Sequence, residues 1–198
     1  MKPLLIVISA PSGAGKTTLC DRLLQDYPEI AYSISCTTRP PRGAEEDGED
    51  YYFLDKAEFA RQVASGAFLE HAKVHGFDYG TLRAPVYEAF AEGHCVLMDI
   101  DVAGAAQVRA SVAKLPPDNP MRSGFVDIFI RPPSLEALEK RLVDRGEDSA
   151  VTIERRLRNA AGELEHAGEF RYQVVNDDLE IAYRELCGIV ETLGACRT

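Results

Sequence analysis

The 198-residue sequence predicts an α/β domain in three layers on a parallel sheet. Three observations carry that class. Apolar runs at 4–8, 95–101 and 125–130 have the continuous character of strands buried on both faces, and the second ends in carboxylates. Stretches of helical period separate them, as a parallel sheet requires. The first run passes through Ser9-Ala10-Pro11-Ser12-Gly13-Ala14-Gly15-Lys16-Thr17-Thr18 into a helical pattern. Strand, glycine loop and helix, in that order, are the setting of a phosphate-binding loop.

In chain order, the pattern predicts a first helix over 16–25, ending before Pro28, and a second strand over 31–35. Residues 36–43 read as a loop in which Pro40 and Pro41 hold Arg39 and Arg42 on a defined, non-helical backbone. An acidic turn over 45–50 leads to a short strand at 51–53. A helix over 56–64 follows, with Phe59 and Val63 inward, ended by Gly66. Residues 68–74 alternate as a strand does, 78–81 read as a turn, and 83–92 as a helix stopped by Gly93. This block reads as a small lobe inserted after the second strand. Residues 110–124, with Pro116, Pro117 and Pro120, fit neither period and read as a loop. Ser134 is an N-cap for a helix over 135–143 that breaks at Arg145-Gly146. A charged helix over 152–166, a strand over 172–176 and a closing helix over 179–193 complete the chain.

Composition excludes several classes. Hydrophobic residues at 45% and charged ones at 27% are ordinary for a globular domain. A net charge of −10 argues against general adhesion to nucleic acid or an anionic membrane, so anionic ligands need a local basic cluster. Five cysteines (Cys20, Cys36, Cys95, Cys187, Cys196) form no CxxC pair and read as reduced packing residues of a cytoplasmic protein. Lys2-Pro3 leads directly into a strand, without the look of a signal peptide, and no apolar run has membrane-spanning length. The four histidines are scattered and lack metal-ligand spacing.

The candidate chemistry follows from residue types. Gly13 and Gly15 let backbone N–H groups curl into a nest for phosphate oxygens, and the helix start adds its free N–H groups and positive dipole end. Lys16 is placed to reach the β- and γ-phosphates and the Thr17 hydroxyl to ligate Mg²⁺. Ala10 stands where the motif usually has its first glycine. Asp99, ending a buried strand, is a candidate Mg²⁺ carboxylate acting through water; Asp101 is a candidate for the same role or for orienting the acceptor's nucleobase. Arg39 and Arg42 can offer planar forks to an acceptor phosphate, with Tyr51 and Tyr79 hydroxyls beside them.

With these residues in place the chain resembles the guanylate kinase family over nearly its full length. The resemblance rests on Ser12-Gly13-Ala14-Gly15-Lys16-Thr17, Thr37-Thr38-Arg39-Pro40-Pro41-Arg42, Asp50-Tyr51, Phe68-Leu69-Glu70, Tyr79-Gly80-Thr81, Asp99-Ile100-Asp101 and Val175-Asn176-Asp177-Asp178. It implies one domain: a phosphate-loop kinase core (1–33 and 94–198), a GMP-binding lobe (34–93) and a helical lid at about 145–165. It implies ATP + GMP ⇌ ADP + GDP with Mg²⁺, dGMP being a further acceptor. ATP would lie on Ala10, Pro11, Ser12, Gly13, Ala14, Gly15, Lys16, Thr17, Thr18 and Asn176. GMP would lie on Ser35, Arg39, Arg42, Tyr51, Glu70, Tyr79, Thr81 and Asp101. Lys16, Arg39, Arg145 and Arg156 would act on the transferring group, with Arg156 favoured over Arg155. Glu70 would accept from guanine N1–H and the 2-amino group, while Ser35 and Thr81 donate to O6. Ala44 for an expected glycine, Cys36 for a hydroxyl residue and the long 110–124 connection depart from the pattern. Two other readings remain. A non-catalytic domain of this type that binds protein ligands could dispense with Lys16 and the glycines. A phosphate-loop kinase for another phosphorylated small molecule would not need Glu70 or Tyr79-Gly80-Thr81.

Overall fold

The computed structural model describes residues 3–74, 76–146 and 148–194. Lys2 and Cys196, named above, and Glu147 within the expected lid at 145–165 lie outside them. The first half holds β1 (Leu5–Ser9), α1 (Lys16–Asp26), β2 (Ile30–Tyr32), β3 (Cys36–Thr37), β4 (Tyr52–Phe53), α2 (Lys56–Ala64), β5 (Phe68–Val74), β6 (Phe77–Leu82) and α3 (Arg83–Ala91). The second half holds β7 (Cys95–Asp99), α4 (Val102–Ala113), α5 (Pro120–Gly124), β8 (Phe125–Arg131), α6 (Leu135–Arg145), α7 (Ala150–Glu165), β9 (Tyr172–Val175) and α8 (Leu179–Thr192).

The main sheet has the order β2-β7-β1-β8-β9, and all its pairs are parallel. Its central strand shows why the run at 4–8 is apolar throughout. Ile6 and Ile8 face one core, shared with Leu19 and Leu23 of α1 and Leu186 of α8. Leu5 and Val7 face the other, shared with Val86 and Phe90 of α3 and Val108 and Val112 of α4. Helices on both faces make the three layers, as the sequence predicts. No helix among the described residues is long and apolar enough to cross a membrane.

The second sheet, β4-β3-β6-β5, is mixed: β3 pairs parallel with β4, while β6 runs antiparallel to both β3 and β5. It has its own small core of Cys36, Phe59 and Phe68. The Gln107 side chain on α4 bonds both main-chain groups of His71, accepting from its N–H (3.2 Å) and donating to its carbonyl (2.8 Å). Gln107 thus caps β5, the edge of the second sheet, and ties that sheet to the core.

Three expectations are corrected. Residues 78–81 are not a turn but the middle of β6, paired on both sides; the chain reverses at Gly76, whose φ is +88°. The 110–124 loop shrinks to 114–119, because α4 runs to Ala113 with Val108 and Val112 one turn apart in the core. Beyond it, Pro120 starts α5, where no N–H is needed, and the Asn119 side chain accepts from Met121 N. The strand over 31–35 is two pieces: the chain leaves the main sheet after Tyr32 and joins the second at Cys36.

Candidate active site

A cleft of about 610 Å³ opens where the carboxyl ends of β1 and β7 face the second sheet. Lys16, Thr17 and Asp99 line one part, Ile100, Asp101 and Glu70 its wall, and Ser35, Tyr51 and Tyr79 the far part. Ligands gather at the carboxyl ends of parallel strands, and two loop ends are pinned there. Ser9 Oγ donates to the Ile100 carbonyl at 2.8 Å.

The glycine loop takes the shape its residues allow. Gly13 and Gly15 both have φ of +90°, a region side chains disfavour. Space also demands them. A Cβ at Gly13 would stand 3.0 Å from Leu142 Cδ2, and one at Gly15 would stand 2.3 Å from Asn176 Nδ2. Asn176 is buried, and its amide donates to the Ala14 carbonyl at 2.8 Å, so its side chain braces the loop from behind. Arg141 in turn donates to the carbonyls of Asn176 (2.8 Å) and Asp177 (3.0 Å). Nothing in the sequence distinguishes Arg141 from the other arginines of 141–158.

Lys16 Nζ lies 2.6 Å from Asp99 Oδ1, with both side chains about one-fifth exposed (21% and 19%). The cation of the loop and the carboxylate of β7 therefore meet within the cleft. Asp101 is the N-cap of α4, accepting from Gly104 N at 2.7 Å.

Glu70 is brought inward by an irregularity in β5. The register with β6 shifts between Phe68 and Glu70, so three successive residues are buried in three different places. Phe68 enters the small core and Leu69 the large one, while Glu70, 5% exposed, turns into the cleft. The Thr81 hydroxyl donates to Glu70 Oε1 at 2.7 Å, and Ser35 Oγ lies 3.4 Å from Thr81 Oγ1. Burial pushes the Glu70 carboxyl up to about 7; the Thr81 bonds pull it down and the nearby Asp101 charge pushes it up further.

Arg39 is 4% exposed and already engaged. Its fork meets both Glu45 oxygens at 2.9 Å, Nη1 donates to the Pro40 carbonyl at 2.8 Å, and Nε donates to the Tyr79 hydroxyl at 3.2 Å. The guanidinium lies over the Tyr51 ring, 5.3 Å from its centroid. Arg39 stands behind the two tyrosines of the cleft. Glu45, which also accepts from Arg42 N at 2.7 Å, organises the arginine loop, and the sequence marks it only as part of an acidic turn. The Arg42 residue is exposed and not among those lining the cleft.

From the helical hairpin, Arg156 reaches the loop: Nη1 lies 3.4 Å from Ser12 Oγ, and Nη2 lies 3.3 Å from Asp148 Oδ1. Arg155 is exposed on the next position round the helix, and Arg145 closes α6 at an exposed position.

Comparison with known proteins agrees with this geometry. A family model described as Guanylate kinase matches residues 2–193. The guanylate kinase of Methylococcus capsulatus is 47% identical over 189 residues, which is 96% of this chain and 88% of that protein. The guanylate kinase of Nitratidesulfovibrio vulgaris is 48% identical over 198 residues, covering 98% and 91% respectively. The crystal structure of guanylate kinase from Anaplasma phagocytophilum superposes with a TM-score of 0.74 at 33% identity, over 96% of this chain and 85% of that one. The matched extent takes in the main sheet, the second sheet and the helical hairpin, and the chain belongs to the guanylate kinase family.

Proposed function

We propose that this cleft transfers the γ-phosphoryl group of ATP to GMP, giving ADP and GDP. An oxygen of the GMP phosphate forms the new bond to phosphorus as the bond to the β-phosphate oxygen breaks, and the acceptor needs no covalent help from the protein. One observation carries the reading. Glu70, buried beside Thr81, lines the same cleft as the Lys16–Asp99 pair, so a base reader and a phosphate loop face one space.

Residue roles follow from that placement. The loop of 10–18 would hold the donor phosphates, with Lys16 following the charge that moves. Asn176 would serve ATP through the loop it braces. Tyr51, Tyr79 and Arg39 would hold the GMP phosphate, Arg39 exchanging part of its Glu45 pairing for it, and Arg42 would join from the exposed side. Ser35, Thr81, Glu70 and Asp101 would hold the guanine, and dGMP would also serve because none of these groups addresses the sugar. Arg145 and Arg156 would bring positive charge over the transferring group.

The donor set also fits Mg²⁺. Thr17 and Asp99 offer hard oxygen atoms on one side of the cleft. Among the described residues no group of three or more His, Cys, Asp or Glu side chains could hold a metal by itself, which suits an ion completed by phosphate oxygens and water. Bound there, Mg²⁺ would neutralise the developing charge. Both substrates are intracellular nucleotides, which supports a cytoplasmic location.

A coupled assay with GMP, dGMP, AMP, UMP or no acceptor tests the reading. GMP and dGMP should support ADP formation, with AMP and UMP poorer by roughly 10⁴-fold. Equal rates with AMP, or ADP formation only without acceptor, would overturn it. A binding module that has lost catalysis is disfavoured because Lys16, Gly13 and Gly15 are all in place.

A further inference from the structure

We infer that Gly104 is a specificity-determining position, because the Glu70 carboxylate occupies the space its side chain would fill. A Cβ at residue 104 would stand 2.7 Å from Glu70 Oε2, 3.2 Å from Glu70 Cδ and 3.3 Å from Asp101 Oδ1. The backbone gives no reason for glycine here. Gly104 lies in the first turn of α4 without a positive φ, where alanine is the better helix former. The glycine is therefore a matter of room, and what uses the room is the carboxylate.

Glu70 has little freedom to withdraw. Oε1 is held by Thr81 at 2.7 Å, and the residue is 5% exposed. On the neighbouring strand, a Cβ at Gly80 would stand 3.0 Å from the Glu70 carbonyl, so the main chain is packed closely too. Gly104 N also donates to Asp101 Oδ1 at 2.7 Å. One residue thus orients one carboxylate with its N–H and makes space for the other with its missing side chain. It is a positioning residue, acting through Glu70, and the inference rests on Glu70 reading the base as proposed above.

The test is Gly104→Ala in the full chain, in wild-type and Glu70→Ala backgrounds. The measurements are kcat and KM for GMP, IMP and ATP, and the melting temperature. IMP keeps N1–H and lacks the 2-amino group that Glu70 is placed to read. In the wild-type background the substitution should raise the GMP KM about 10- to 100-fold, the size of a lost bond to a charged group. It should also pull the GMP-over-IMP ratio of kcat/KM toward unity, and leave the ATP KM within about twofold. In the Glu70→Ala background the carboxylate is gone and only the 3.3 Å approach to Asp101 Oδ1 remains, so the same substitution should leave the GMP KM within about twofold and raise the melting temperature through helix propensity. That second background remains readable even if the single variant folds poorly. An unchanged GMP-over-IMP ratio in Gly104→Ala, or equal GMP losses in both backgrounds, would overturn the inference. If Glu70→Ala itself keeps the wild-type ratio, the base-reader reading falls instead.

Discussion

In the role proposed for it as reader of the base, Glu70 would set the pH behaviour of the guanine side. A carboxylate accepts from both guanine donors only when ionised, and burial holds this one near 7 against an ordinary 4.5. The KM for GMP should therefore rise as pH falls below about 7, approaching tenfold per unit, while the KM for ATP stays nearly flat. The GMP phosphate titrates near pH 6 as well, and Glu70→Gln separates the two because it removes only the limb near 7. A GMP KM that is level from pH 6 to 8 would show that the free enzyme already holds Glu70 ionised. The same shift has a stability sign. A raised folded value means the contribution is complete below 4.5 and is lost as pH rises through about 7. Without nucleotide, Glu70→Gln should then be the more stable protein at pH 8, by up to about 3 kcal/mol in denaturant unfolding.

At the scale of elements, the informative residue is Asp127, a carboxylate in the middle of β8 and 3% exposed. It accepts from Arg109 Nε of α4 at 2.7 Å and from Arg171 N at 2.9 Å. Arg109 also reaches Glu169 at 3.3 Å and covers the Phe170 ring. These contacts pin α4, β8 and the 3-10 turn at Ala167–Glu169 to one another. Asp127→Ala leaves the half-buried Arg109 without its closest counter-charge and should cost about 3 kcal/mol, lowering Tm by roughly 6–12 °C. The double change Asp127→Leu with Arg109→Met should recover much of that, since an apolar pair replaces a desolvated ionic one. Thermal unfolding of the three variants decides the matter, and a loss under about 0.5 kcal/mol for Asp127→Ala would assign the pair to the surface class.

At the scale of the whole molecule, the buried apolar residues among those described fall into four clusters rather than one. Two large ones flank the main sheet. A third lies under the second sheet, and a fourth joins α6 to α7 through Leu138, Leu142 and Ala160. The second sheet and the hairpin thus each have a small core of their own, although Leu69 of β5 also packs into one of the large ones. The hairpin presents Arg156 to Ser12 of the loop, so Arg156→Met should lower kcat by about 10²-fold while the GMP KM moves less than about threefold. Arg155→Met, on an exposed face, should keep near wild-type turnover in steady-state kinetics. Full turnover in Arg156→Met would remove it from the transferring group.

The sequence by itself determined the three-layer class, the glycine loop and most element types, because these are local: continuous apolar runs, helical periods, caps and the φ freedom of Gly13 and Gly15 lie within short windows. Ser134 caps α6 through Ala137 N as its position predicts. The family, too, was legible in the order of its motifs. Long-range pairing decided the rest. Residues 78–81 look like a turn because Gly80 interrupts their pattern, yet strands on both sides make them a strand. Residues 110–113 continue α4 because the large core accepts Val112, which no local propensity reveals. The roles of Asn176 and Arg141 as braces, the Glu45 fork on Arg39 and the room at Gly104 each join residues far apart in the chain or on separate elements. Sequence patterns report which residue types a segment carries; only the folded packing decides whose atoms fill the space beside them.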